Sequence, residues 1–118
     1  MKFKNMFSPI QIGPMTVKNR FVVPPMGNNF ANSDGTWSDE SVAYYGERAK
    51  GQFGLITIEA TVVHKGAKGG PKKPCLYDDN SIESLKKITD ACHEEGAKVS
   101  IQLQNAGPEG NAKNAGAP

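Results

Sequence analysis

Only two cysteines occur in the 118 residues, Cys75 and Cys92, and their spacing fits neither a C-x-x-C redox site nor a zinc ribbon. A disulfide framework is therefore excluded, no metal site is expected, and two unpaired thiols in a reducing compartment are the simplest reading. Long apolar runs are missing too. Nothing approaches the ~20 residues of a membrane span. The start, Met1 to Asn5, leads into Met6-Phe7-Ser8-Pro9 rather than a leader core, so a cytoplasmic protein without membrane attachment is expected. An excess of one charge is also lacking. Fourteen Lys and Arg against twelve Asp and Glu leave a net charge of +2, far from the basic stripe of a nucleic-acid binder. Finally, no G-x-G-x-x-G follows either of the first two predicted strands, which argues against an open dinucleotide-binding sheet.

What the chain does have is glycine and proline, 13 and 8 respectively, gathered in the connections between short apolar runs. Two alternating stretches around Gly13-Pro14 predict a small hairpin. Phe21-Val22-Val23, closed by Pro24-Pro25, predicts a strand buried on both faces. Ser38 is placed to cap a helix carrying Asp39 and Glu40 in its first turn, with Val42, Tyr45 and Ala49 on one face and an end near Gly51. Leu55 to Ile58 predicts a second buried strand running into Glu59-Ala60-Thr61. After a long connection from Val63 to Asp79, Asn80 and Glu83 resemble a capping box. The stripe Ile82, Leu85, Ile88 and Cys92 then ends at Gly96, a C′ residue. Lys98 to Leu103 predicts a third strand. Two successive β-α-β crossovers imply three parallel strands covered by two helices, and the opening hairpin favours a barrel with a plugged bottom.

In such folds the chemistry sits at the carboxyl ends of the strands. Three clusters qualify: Pro24-Pro25-Met26-Gly27-Asn28, Glu59-Ala60-Thr61, and Gln102-Leu103-Gln104-Asn105. The prolines with Gly27 either terminate a strand or form a rigid, donor-poor wall that a flat ligand can approach. Ala60 either packs tightly or leaves its backbone open to a ligand edge. Glu59 reads as a general base or, more commonly, as a carboxylate paired with a Lys or Arg. Gln102, an amide in an otherwise apolar strand, is either bonded to loop backbone or free to read the imide edge of a heterocycle. Lys65, Lys68, Lys72 and Lys73, spaced by glycines after the second strand, form either a solvated loop or a loop for a nucleotide or CoA phosphate.

Six segments in register resemble the Old Yellow Enzyme family of NADH:flavin oxidoreductases, which includes ene-reductases and a 2,4-dienoyl-CoA reductase branch. They are Phe7-Ser8-Pro9-Ile10-Gln11-Ile12-Gly13, Lys18-Asn19-Arg20, Pro25-Met26, Tyr44-Tyr45 with Arg48-Ala49-Lys50-Gly51, Gly54 to Thr61, and Gln102-Leu103 with Asn105-Ala106-Gly107. The resemblance implies the amino-terminal part of a TIM (β/α)8 barrel. It further implies FMN as cofactor, NADH or NADPH as reductant, and hydride transfer through flavin to an activated alkene, of enoate, enone or dienoyl-CoA type. Residue by residue, Pro25 and Met26 would line the isoalloxazine and Gly27 would lie near its reactive edge. Ala60 would offer backbone to the ring, and Gln102 would bond its pyrimidine edge. No catalytic residue is assigned.

Gly27 departs from the family's Thr or Cys after Pro-Met, so side-chain tuning of the flavin is lost or comes from elsewhere. Asn105 and Pro108 stand where family members often show His and Arg, and together with Gly27-Asn28-Asn29-Phe30-Ala31 this leans toward the anaerobic enoate and bile-acid-type oxidoreductase branch. Residues 1–118 are expected to form a partial FMN-binding domain that stops after the third strand, since a full barrel takes ~250 residues. The phosphate site, the proton donor and any 4Fe-4S ligands of a larger parent would then lie outside it. The isolated piece is expected to bind flavin poorly and to turn over little. The alternative is a non-catalytic half-barrel module that pairs with a carboxyl-terminal partner chain or with itself.

Overall fold

The structure is a computed structural model and describes residues 2–110 of the chain. A short helix α1 (Lys4–Phe7) precedes the antiparallel hairpin β1 (Ile10–Ile12) and β2 (Met15–Val17), with Gly13 in the turn at φ +55°. Then follow β3 (Val22–Val23), α2 (Asp39–Lys50), β4 (Leu55–Val62), α3 (Ile82–Glu94) and β5 (Lys98–Gln104). The sheet order is β3-β4-β5 and both pairings are parallel, as the two crossovers require.

Both helices lie on one face of this sheet. Tyr45 and Ala49 of α2 and Ile88 and Cys92 of α3 pack with Val23, Ile56 and Ile58 in a single core. Each of the valine and isoleucine side chains, fully buried, contributes about 1.5–3 kcal/mol from removal of apolar surface from water. Val42 is partly buried and packs against the same core, as its place on the face with Tyr45 and Ala49 predicts, and Ser41, whose N–H donates to the capping Ser38 hydroxyl at 3.2 Å, is fully buried beside it. Ser38 caps α2 as predicted.

Asn80 does not cap α3. It sits inside a 3-10 turn, Asp79–Ser81, and its N–H donates to the Asp78 carboxylate at 3.0 Å. Ser81, next to the helix, already has helical dihedrals and no side-chain cap. Asp78, two residues upstream and extended, has taken the capping role. At the other end of α3, Gly96 adopts φ +77°, as a C′ glycine does.

The hairpin closes the amino-terminal edge of the sheet. The Lys18 ammonium donates to the Glu95 carbonyl at 2.7 Å, and the Asn19 amide donates to the Gln52 carbonyl at 2.7 Å. Gly54 makes this approach feasible. A Cβ there would stand 2.7 Å from both Asn19 Oδ1 and Val17 Cγ1.

The other face of the sheet carries no helix among the described residues. Val22 and Leu103 are 48% and 62% exposed, so the expectation that Phe21 to Val23 is buried on both faces does not hold for this chain. Only the Val23 side is covered.

Candidate site at the carboxyl edge of the sheet

β3 stops after Val23 because Pro24 and Pro25 have no N–H to give to the ladder. Pro25 is half-buried there, while Met26 and Gly27 are exposed. β4 runs through the expected strand-end cluster Glu59-Ala60-Thr61 and closes at Val62. The ladder slot beside Val62 that β3 leaves open is taken by Cys75. Val62 donates to the Pro74 carbonyl at 2.9 Å, and Leu76 donates to the Val62 carbonyl at 2.8 Å. The long connection after β4 therefore folds back over the strand ends. A bond from Cys75 N–H to the Gly35 carbonyl at 2.9 Å holds it there.

Between β4 and β5 the register runs Ile58 to Ile101 and then Thr61 to Leu103. Glu59 and Ala60 together oppose Gln102, which is a bulge. A bulge leaves backbone groups without ladder partners, and buried ones must find others. The Glu59 N–H donates to the Tyr45 hydroxyl at 3.0 Å, and the Glu59 carbonyl accepts from the Thr61 hydroxyl at 2.8 Å. Tyr45 thus ties α2 to the bulge. Burial raises its hydroxyl pKa and keeps it protonated.

The Glu59 side chain is fully buried. Its Oε2 accepts from the Asn28 backbone N–H at 3.2 Å, while Oε1 and the Asn28 side-chain Nδ2 have no partner among the described residues. Burial pushes the Glu59 carboxyl above the ordinary value of 4.5, against the opposing pull of the Asn28 bond and the Lys73 charge. The expected ion pair to Glu59 is not formed among the described residues. The ion pairs there are Lys50 with Glu47 and Lys86 with Asp90, all on the helix surfaces.

Pro25, Met26, Gly27, Ala60 and Gln102 are thus brought to one edge of three adjacent strands. Gln102 is exposed and its side chain makes no hydrogen bond among the described residues, so the premise that burial forces it to find a partner fails. Its amide is free instead. The four loop lysines do not act as one group. Lys68 is buried with its ammonium donating to the Ser33 carbonyl at 3.1 Å, Lys65 and Lys72 are exposed, and Lys73 is half-buried over Gly27.

The sequence reading does not single out Tyr45, and it places Asn28 only within the first strand-end cluster and Lys73 only within the candidate phosphate loop. Tyr45 has the spacing of a packing residue, and the parts played by Asn28 and Lys73 depend on a bulge and a folded-back loop that have no sequence period. The edge is an open shelf. The larger clefts are one of about 530 Å³ along the loop after β3, lined in part by Phe30, Asn32 and Lys72, and one of about 470 Å³ between the starts of α2 and α3, with a mainly polar lining that includes Thr36, Asp39, Glu83 and Lys87. No group of three or more metal-ligating side chains is found among the described residues, and no helix there is long and apolar enough to cross a membrane.

A sequence model of the NADH:flavin oxidoreductase / NADH oxidase family matches residues 5–117. Among solved structures, a 2-naphthoyl-CoA reductase in complex with 2-naphthoyl-CoA superposes with a TM-score of 0.90 at 33% identity, covering 97% of this chain and 17% of that one. Old Yellow Enzyme from Pichia sp. AKU4542 gives 0.88 at 34% identity, over 97% of this chain and 30% of that enzyme. Morphinone reductase in complex with tetrahydroNAD gives 0.78 at 29% identity, over 86% and 27%. The chain spans less than a third of the length of each. The parallel sheet with its plugging hairpin is a portion of the barrel these proteins share, and the chain belongs to the NADH:flavin oxidoreductase / NADH oxidase family, the FMN-dependent Old Yellow Enzymes.

Proposed function

We propose that this chain supplies the flavin-ring shelf of an FMN-dependent oxidoreductase that passes hydride from NADH or NADPH to an activated alkene. The observation that carries the reading is the unused amide of Gln102 beside Ala60, with Met26 and Gly27 exposed at the next strand end but one. Three strands at their usual spacing of about 4.8 Å span roughly 10 Å, the length of a tricyclic ring. The residues fit such a ring. Pro25 and Met26 give it a rigid apolar wall, Ala60 leaves backbone accessible, and Gln102 offers one donor and one acceptor to an imide edge. FMN, when bound, supplies the hydride chemistry. This chain's residues orient the ring and keep water from its covered side.

Substrate choice follows the same logic. The 2-naphthoyl-CoA held by one similar protein supports an acyl-CoA or related conjugated substrate. Of the four lysines Lys65 and Lys72 are the exposed ones that can meet a phosphate, since Lys68 is bonded internally and Lys73 is half-buried against Gly27.

FMN uptake by the protein expressed from its complete gene, followed by anaerobic bleaching with NADH or NADPH, tests the reading. Gln102→Leu should weaken FMN binding about tenfold, the value of one or two hydrogen bonds. No uptake, or affinity unchanged in Gln102→Leu, would overturn it. The 118 residues alone should bind FMN weakly, because barrels hold phosphate on their late strands and the described residues carry three.

The exposed apolar sheet face favours a second reading, a half-barrel module that pairs with a partner chain or with itself. A purified protein that forms a stable complex and never takes up FMN would support it over the first.

A further inference from the structure

Gly27 has no side chain, but the volume a side chain would fill is not empty. A Cβ on residue 27 would stand 3.0 Å from the Lys73 ammonium and 3.8 Å from Glu59 Oε2. Lys73 reaches this place because the loop after β4 pairs back beside Val62 through Cys75, and the Cys75 thiol donates to the Lys73 carbonyl at 3.4 Å. Lys73 is half-buried, and its ammonium makes neither an ion pair nor a hydrogen bond among the described residues. Near the same spot lies the fully buried Glu59 carboxylate, of which one oxygen accepts from the Asn28 backbone N–H and the other is without a partner among the described residues, as is the Asn28 amide nitrogen.

A half-buried cation left without a partner is costly unless something electron-rich completes its environment. We propose that Lys73 is the cofactor-facing cation of the shelf. Admitted by the missing side chain of Gly27, it lies against the flavin ring edge and favours the reduced ring over the oxidised one. This rests on the flavin reading above. Hydride brings two electrons and one proton to a neutral ring and leaves it with a net negative charge, which a neighbouring ammonium stabilises. Glu59, buried behind residue 27, keeps the ammonium at this edge and tempers its effect.

A structural alternative has Lys73 only tethering the loop to Glu59. The two differ in what they do to the reduction potential of bound FMN. In the protein expressed from its complete gene, Lys73→Met should lower the preference for reduced over oxidised FMN about tenfold, equal to about 30 mV in a two-electron dye titration. Lys73→Arg, which keeps the charge, should stay within about threefold of the parent. A Lys73→Met protein that binds FMN with an unchanged potential overturns the role of Lys73 and leaves the flavin shelf standing, even if its melting temperature falls. A parent protein that takes up no FMN overturns both.

Discussion

Glu59 is fully buried, and the one backbone N–H and the Lys73 charge that favour its ionised form do not offset that burial, so ionisation inside the fold is harder than in the unfolded chain. Its carboxyl pKa is raised on folding. The stability this lends is fully present below the ordinary value of 4.5 and is lost as the pH rises through the folded value. Glu59→Gln should therefore be more stable than the parent at neutral pH by about 1 kcal/mol, the scale of one buried acceptor relieved of an unmet demand. Urea midpoints between about pH 4 and pH 8 should fall for the parent and stay nearly level for the variant. Parallel pH profiles would refute the burial argument. The cysteines behave as small buried apolar residues, and burial alone pushes the Cys92 thiol up to about 11.

Helix starts show how local signals succeed or fail. The Ser38 reading succeeded because the capping residue, the acidic first turn and the buried face all begin within one turn of sequence. The Asn80 reading failed because a 3-10 turn sits between the capping residue and the helix, which shifts the cap to Asp78 without changing the S/T/D/N-x-x-E appearance of the sequence. Ser38→Ala should accordingly cost about 1 kcal/mol in thermal denaturation. Asn80→Ala should stay within about 0.5 kcal/mol, since the N–H that Asp78 accepts survives in alanine. A larger loss for Asn80 than for Ser38 would restore the capping box. The strands were legible from their apolar runs. The bulge through which β4 stays paired with β5 as far as Val62 was not, and neither was the loop residue Cys75 that bridges to Val62.

Across the whole molecule one sheet face is packed and the other is open, with Val22 and Leu103 exposed. Apolar faces and unpaired edges of this kind associate. The 118-residue chain alone should self-associate at micromolar concentration in sedimentation velocity, and Leu103→Lys should shift it toward monomer; a monodisperse parent would show that the open face is harmless. The hairpin, the helices and the three parallel strands follow from apolar periodicity and from glycine and proline placement, so the sequence by itself determined the class of fold and which segments reach the carboxyl edge. Five predicted residues on separate segments share that edge because parallel strands bring their carboxyl ends to the same side. Only the tertiary structure decided the bulge at Glu59, the Tyr45 hydroxyl that answers it, and the seating of Lys73 over Gly27. Each depends on a contact between residues 14 to 46 positions apart, where no local period records the pairing.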